Sequence, residues 1–187
     1  MRVVAGKYGS RPLKSLRGQA LRPTSDQLRE TLFNILGPGV EGCLFVDVYA
    51  GTGAVGIEAL SRGAREVVFI ERHPAVVALI RRNLHSLEIE TGAEILSVDA
   101  VRGLEVLAAR HRHAHFFFLD PPYEEREEYQ RSLGFLDRSP LVALSGCVIV
   151  EHEKRWALPV HLSNLERVRV VEQGDAALSF FRLALAA

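Results

Sequence analysis

The run Phe116 to Leu119 followed by Asp120, Pro121, Pro122 and Tyr123 leaves this 187-residue chain few folds to choose from. Four apolar residues are too short a run for a helix and suit a strand buried on both faces, which a parallel sheet covered by helices provides. A carboxylate is disfavoured inside such a strand, so Asp120 belongs at its C-terminal edge, where open α/β sheets hold their ligand crevice. Pro121 and Pro122 fix φ and supply no backbone N–H. The chain therefore leaves the sheet stiff and extended, with Tyr123 as a flat ring on that stem.

This order of residues suits methylation of an exocyclic amine on a planar base. Such a nitrogen is a poor nucleophile because its lone pair is delocalised into the ring. Asp120 and the carbonyl oxygen of Pro121 would accept both amine hydrogens and turn the lone pair toward an electrophilic methyl group. Positioning of this kind is worth up to ~7–11 kcal/mol of barrier, and stacking on Tyr123 ~1–3 kcal/mol. A plainer assignment, with the prolines punctuating a strand end and Asp120 capping the next helix, explains the prolines but not the ordered set.

A second buried strand is expected at Leu44 to Val48, followed by Tyr49, Ala50, Gly51, Thr52 and Gly53 and a helix reaching about Arg62. Gly51 and Gly53 let the backbone approach a ligand, and the helix offers unpaired N–H groups. The pattern also fits a dinucleotide loop, with Glu71, after a strand Val67 to Ile70, as the ribose-binding acid of either ligand. Asp47 separates the two, since it would repel a pyrophosphate but receive the cationic amino-acid end of S-adenosylmethionine, directly or through water. The Asp120 to Tyr123 stretch, which has no part in hydride transfer, also speaks against a nicotinamide. A third strand, Ile95 to Val98, ends at Asp99, which with Ala100 could meet an adenine edge and also cap a helix Val101 to Ala109.

Lys+Arg and Asp+Glu both total 23, so net charge points to no partner, but its distribution does. Residues 1–40 carry seven basic side chains (Arg2, Lys7, Arg11, Lys14, Arg17, Arg22 and Arg29) against Asp26 and Glu30, leaving 16 basic and 21 acidic groups in the rest. A basic arm on a mildly acidic body suits phosphate contacts that position a nucleic acid without reading its sequence. Residues 2–13 read as a short hairpin around Gly6 to Gly9. Thr24 or Ser25 would cap a helix carrying Leu28, Leu32, Phe33, Ile35 and Leu36, which Gly37-Pro38-Gly39 ends.

One core suffices at this length, and roughly 70% of the unfolded surface can be buried. Cys43 and Cys147 lie in apolar surroundings and imply no disulfide framework. No apolar run approaches ~18 residues and the N-terminus lacks a signal-type core, so a cytoplasmic protein without membrane contact is expected. His111, His113 and His115 have metal-like spacing but no acid or cysteine nearby to complete a site. Leu144 to Val150 is a further strand. Glu151, His152 and Glu153 after it resemble an acid/base set but are assigned to structural hydrogen bonding. Leu165 to Val171 and Ala177 to Leu185 form a terminal hairpin around Gln173-Gly174-Asp175.

The strand and glycine loop with Glu71, Asp99 and Asp120-Pro121-Pro122-Tyr123 resemble the class I S-adenosylmethionine-dependent methyltransferases that act on exocyclic amines. Arg2-Val3-Val4-Ala5-Gly6, the segment Arg22-Pro23-Thr24 to Arg29-Glu30-Thr31-Leu32-Phe33, and Val150-Glu151-His152-Glu153 are similar to the bacterial RsmD family within that class. The resemblance implies an α/β, Rossmann-like, seven-stranded and mostly parallel sheet with its last strand reversed. A basic hairpin arm and helix over 1–40 would pack on a methyltransferase domain over 41–187. It further implies methylation of N2 of a guanine in 16S ribosomal RNA, within a partly or fully assembled small subunit, by a monomer.

Carried over, Asp120, Pro121, Pro122 and Tyr123 would be catalytic. Asp47, Tyr49, Gly51, Thr52, Gly53, Glu71, Arg72, Asp99, Ala100 and Thr24 would hold S-adenosylmethionine. Arg2, Lys7, Arg11, Lys14, Arg22 and Arg29 would contact RNA. Gln27 stands where the family pattern usually has arginine. Asp-Pro-Pro-Tyr serves several exocyclic amines, so adenine or cytosine, in RNA or DNA, stays open as the acceptor.

Overall fold

Short apolar runs alternate with amphipathic stretches from Leu44 onward, and the computed structural model, which describes residues 1–15 and 24–184, folds them as strands and helices in turn. A first helix α1 (Asp26–Leu36) and a 3-10 turn (Gly37–Val40) lead into β1 (Leu44–Asp47), α2 (Ala54–Ser61), β2 (Glu66–Ile70), α3 (Pro74–Ser86) and β3 (Ala93–Leu96). Then come α4 (Ala100–Ala109), β4 (Ala114–Leu119), α5 (Arg126–Arg138), β5 (Val142–Glu153), β6 (Leu165–Gln173) and β7 (Ala176–Leu183). The seven strands form one sheet in the order β3-β2-β1-β4-β5-β7-β6, parallel except for β7, which runs antiparallel to both of its neighbours.

Period-two alternation sends side chains of one strand to opposite faces. Phe45, Phe69, Phe116 and Phe118 meet α1, α2 and α3, while Val46, Val68, Phe117 and Leu119 meet α4 and α5. Both faces are covered, which is why these strands read as continuous apolar runs. The chain steps outward from β1 to β3 and then crosses back to place β4 on the other side of β1. That reversal opens a crevice at the C-terminal ends of β1 and β4.

Strand limits differ from the sequence reading where pairing sets them, and of the two caps it left open for α1 one is taken. β3 begins at Ala93 rather than Ile95, because pairing with β2 runs from Val67–Ala93 to Ile70–Leu96. β5 continues to Glu153, because antiparallel pairing with β7 carries the ladder through Glu151–Leu178, His152–Ala177 and Glu153–Ala176. The cap of α1 is Ser25, whose hydroxyl accepts from the Leu28 N–H at 3.1 Å. Thr24 is used elsewhere.

Residues 2–13 turn back on themselves with one antiparallel bridge, Arg2 to Pro12, in place of a strand pair. The turn is fastened to α2 by its backbone. Val4 and Ala5 N–H groups donate to the buried Glu58 carboxylate at 2.7 and 3.0 Å, and those of Lys7 and Tyr8 donate to the Ser61 carbonyl and hydroxyl. A Cβ at Gly6 would lie 1.9 Å from the Ser61 carbonyl oxygen, so only glycine permits this approach. Val3 and Leu13 join the apolar cluster that includes Phe33 and Phe45. Cys43 and Cys147 are buried thiols, unbridged.

Candidate active site

A cavity of about 290 Å³ opens at the crevice, walled by Thr24, Asp47, the turn Tyr49 to Thr52, the start of α2, Phe118, the segment Asp120 to Glu124, and Glu151. Gly51 and Gly53 hold φ values of 51° and 78°, a left-handed conformation that glycine adopts without strain. A Cβ at Gly51 would meet nothing nearer than the Tyr49 carbonyl at 3.9 Å, so the loop backbone there faces open space. Gly56 brings the helix onto the sheet: a Cβ there would lie 2.3 Å from the Phe69 ring.

Asp47 is 1% exposed, and its Oδ2 accepts the Gly56 N–H at 2.9 Å. Because Gly53, the N-cap of α2, has no side chain, Asp47 serves that helix end from the neighbouring strand. Burial pushes its carboxyl from 3.8 up to about 7, the Gly56 N–H opposing the rise and the charge of Glu71 adding to it. Glu71 stands behind the loop, accepting from Gly51 N at 3.1 Å and His73 N at 2.8 Å. Thr52 presents its carbonyl to the buried Asn83 amide at 2.9 Å, and the same Asn83 exchanges two hydrogen bonds with the Lys14 backbone. The glycine loop and the N-terminal arm therefore share one anchor.

Asp120 follows β4 at the cavity edge, as its place in the sequence predicts. The Pro121 carbonyl accepts the Tyr129 hydroxyl of α5 at 2.9 Å, in a buried contact that fixes the proline stem. Burial raises the Tyr129 phenol above its ordinary range and the charge of Asp120 adds to the rise, so it stays a donor. Pro122 is exposed, and the half-buried Tyr123 ring packs against the cluster that includes Tyr129 while lining the cavity. Tyr49 lines the cavity too, but its hydroxyl turns away to Glu128 at 3.2 Å.

Other expected residues stand further off. Asp99 is the exposed N-cap of α4, accepting from Arg102 N at 3.0 Å, and Ala100 is buried in that helix's first turn; neither forms part of the cavity wall. Arg72 is exposed and pairs with Glu125 at 3.1 Å. In the arm, the side chains of Arg2, Lys7 and Lys14 reach solvent, with Lys7 over the Tyr8 ring. Arg11 instead caps α3, donating to the carbonyls of Ser86 and Leu87. The expected RNA contact of Arg29 is corrected. It is 0% exposed and spends its guanidinium on the Thr24 and Arg2 carbonyls and on Asp26, tying the arm to α1. Arg22 lies outside the described residues.

Glu151, which the sequence reading assigns to structural hydrogen bonding, is a wall of the cavity that it leaves out of the site. It is 4% exposed, lines the cavity, and its Oε2 accepts the Thr24 hydroxyl at 2.7 Å. The signal for it was present: it follows Val150 at the end of a strand parallel to β4, as Asp120 follows Leu119. Its neighbour His152 faces the other way onto Ser179 and Trp156, and burial lowers its pKa. His115 accepts from Leu44 N and His113 bonds the Pro140 carbonyl. Among the described residues no group of three His, Cys, Asp or Glu side chains is placed to hold a metal, and no helix is long and apolar enough to cross a membrane.

Comparison with known proteins extends the likeness over nearly the whole chain. Residues 1–182 match the family model described as "Conserved hypothetical protein 95". The "Putative rRNA methyltransferase YlbH" of Bacillus subtilis (strain 168) is 33% identical over 182 residues, 97% of this chain and 98% of that protein. "Ribosomal RNA small subunit methyltransferase D" of Escherichia coli (strain K12) is also 33% identical, over 97% of this chain and 89% of its own. The solved "Putative methyltransferase yhhF from Escherichia coli" superposes with a TM-score of 0.85 at 29% identity, covering 98% of both chains. With its glycine loop and its Asp-Pro-Pro-Tyr edge on one cavity and these likenesses running nearly end to end, the chain belongs to the RsmD methyltransferase family.

Proposed function

We propose that this protein transfers the methyl group of S-adenosylmethionine to the exocyclic N2 of a guanine in 16S ribosomal RNA, acting as a monomer on the small ribosomal subunit. The observation that carries the reading is that the glycine loop after β1 and the Asp120 to Tyr123 edge after β4 line the same cavity. Relatives named for methylation of small-subunit ribosomal RNA support it.

The residues fit the cofactor. The loop backbone at Gly51 faces open space, α2 presents its N-terminus, and Asp47 supplies a carboxylate for an ammonium group. Bound there, S-adenosylmethionine supplies a methyl carbon made electrophilic by its sulfonium, which becomes a neutral thioether as the methyl leaves. Asp120 accepts one hydrogen of the guanine amine. The Pro121 carbonyl, with two lone pairs, accepts the other while keeping the Tyr129 bond. Tyr123 stacks on the base and holds its plane. The alkylated amine is far more acidic than its parent and gives its proton to the Asp120 carboxylate, which returns it to water. Arg2, Lys7 and Lys14 engage phosphates without reading sequence.

The test is incubation with labelled methyl donor and undermethylated small subunits, free 16S RNA and DNA in parallel, followed by nucleoside analysis. N2-methylguanosine from ribosomal RNA is the expected product; label in adenine or cytosine alone overturns the acceptor. Asp120→Ala abolishes transfer while S-adenosylhomocysteine still raises the melting temperature. Replacing Lys7 and Lys14 together by alanine lowers the slope of log affinity against log salt by about two.

A further inference from the structure

We propose that Glu151 accepts the ring N1–H of the acceptor base and so selects guanine, an inference that rests on the guanine-N2 reading above. β4 and β5 are parallel neighbours with Leu119 opposite Val150, which sets Asp120 and Glu151 side by side one step further on. The Thr24 hydroxyl donates to Glu151 Oε2 at 2.7 Å and lies 3.4 Å from Asp120 Oδ2, so these two carboxylate oxygens stand within about 6 Å of each other. Glu151 is almost fully buried yet faces the cavity, and methyl transfer itself gives a second carboxylate nothing to do.

Base chemistry supplies the task. Guanine presents its exocyclic amine beside a ring N–H. Adenine and cytosine present theirs beside a bare ring nitrogen with an outward lone pair, and uracil has no exocyclic amine. A carboxylate accepts through about four lone-pair sites when ionised, so the Thr24 hydroxyl at Oε2 does not exhaust what Glu151 can accept. Beside Asp120, Glu151 accepts the guanine N1–H and repels the lone pair at adenine N1 or cytosine N3. Recognition then uses attraction for one base and repulsion against the others. Thr24 acts as a positioning residue, holding the second acceptor at a set distance from the first.

The test compares three RNAs that differ only at the modified position. Guanine carries both the amine and N1–H. 2-Aminopurine keeps the amine and replaces N1–H by a lone pair. 6-Thioguanine keeps both donors and alters only the O6 position. A site built to bond a substrate N–H rejects the analogue lacking it strongly, so wild-type kcat/KM should fall on the order of 10²-fold or more for 2-aminopurine and stay within tenfold of guanine for 6-thioguanine. Glu151→Gln, whose amide can turn its NH2 toward a lone pair, should lose guanine activity and narrow the guanine to 2-aminopurine gap to under about tenfold. Its melting temperature should still rise with S-adenosylhomocysteine. Comparable wild-type use of guanine and 2-aminopurine overturns the assignment, as does a Gln variant with the gap intact. A wild-type enzyme inactive on guanine but active on another base defeats the underlying reading instead.

Discussion

Asp47 gives the sharpest link between a buried contact and a bulk measurement. Its carboxyl is raised from 3.8 to about 7, chiefly by burial. Between those two values the folded protein keeps a proton that the unfolded chain has released, so the contribution of Asp47 to stability falls as pH rises across the interval and is level above it. At ~1.4 kcal/mol for each tenfold change in proton affinity, the loss is roughly 4 kcal/mol. Asp47→Asn removes the titration while keeping an oxygen that can accept the Gly56 N–H. Urea unfolding at half-unit steps from pH 4 to 8 should show the variant and wild type nearly equal at pH 4. The variant should gain about 1.4 kcal/mol per pH unit relative to wild type until about pH 7. A constant gap across that range would refute the reasoning. Because an ammonium group favours the ionised carboxylate, S-adenosylhomocysteine should also bind wild type more tightly as pH rises from 5 to 7, and the Asn variant should lose that dependence.

Three further substitutions probe the supports of the site. Tyr129→Phe takes the hydroxyl from the buried Pro121 carbonyl and should cost about 0.5–1.5 kcal/mol in urea unfolding; kcat should fall while the KM for S-adenosylmethionine holds, and an unchanged kcat would show the stem needs no such brace. Gly56→Ala drives a methyl into the Phe69 ring and should destabilise by ~1–3 kcal/mol despite alanine's better helix propensity; a more stable variant would contradict the packing. Glu58→Ala strands the Val4 and Ala5 N–H groups and leaves Arg62 without its 2.7 Å partner, a loss of about 3–5 kcal/mol. Limited trypsin digestion should then cut at Lys7 faster than in wild type, and equal rates would show that the arm is held by other contacts.

The parts of the molecule governed by local rules were legible in advance. The doubly buried strands β1, β2 and β4, the glycine loop and the proline stem announce themselves through periodicity and through residues with restricted backbones. What escaped depends on pairing across long sequence distances. Nothing near Val150 says that β7 will extend β5 through Glu153, and without that extension Glu151 reads as one of three polar residues in structural hydrogen bonds at a strand end. Arg29 looked like a phosphate ligand because charge was counted without burial. Three acceptors gathered from Arg2, Thr24 and Asp26 make its interior place affordable, and no window of sequence displays such a set. The β3 boundary moved because an edge strand takes its limits from its partner.

The register of the sheet sets the spacing that the proposed function asks of this crevice, with a cation below and a base above. Asp47 pairs with Phe118, and Phe118 with Ile149, so Asp120 and Glu151 lie two residues beyond the level of Asp47. At ~3.3 Å per residue that is about 6–7 Å along the strands. The deeper carboxylate is buried, braced by the amide of Gly56, and suited to an ammonium that compensates its desolvation. The two upper ones, joined through Thr24, would meet the donors of a base in the reaction proposed above. A one-residue slip of β4 against β1 would turn Asp120 to the opposite face of the sheet, away from Asp47. The bulky Phe116 and Phe118 on one face, and Phe117 and Leu119 on the other, oppose that slip, so the packing of the aromatic strand sets the depth of Asp120 relative to Asp47, which the proposed transfer depends on.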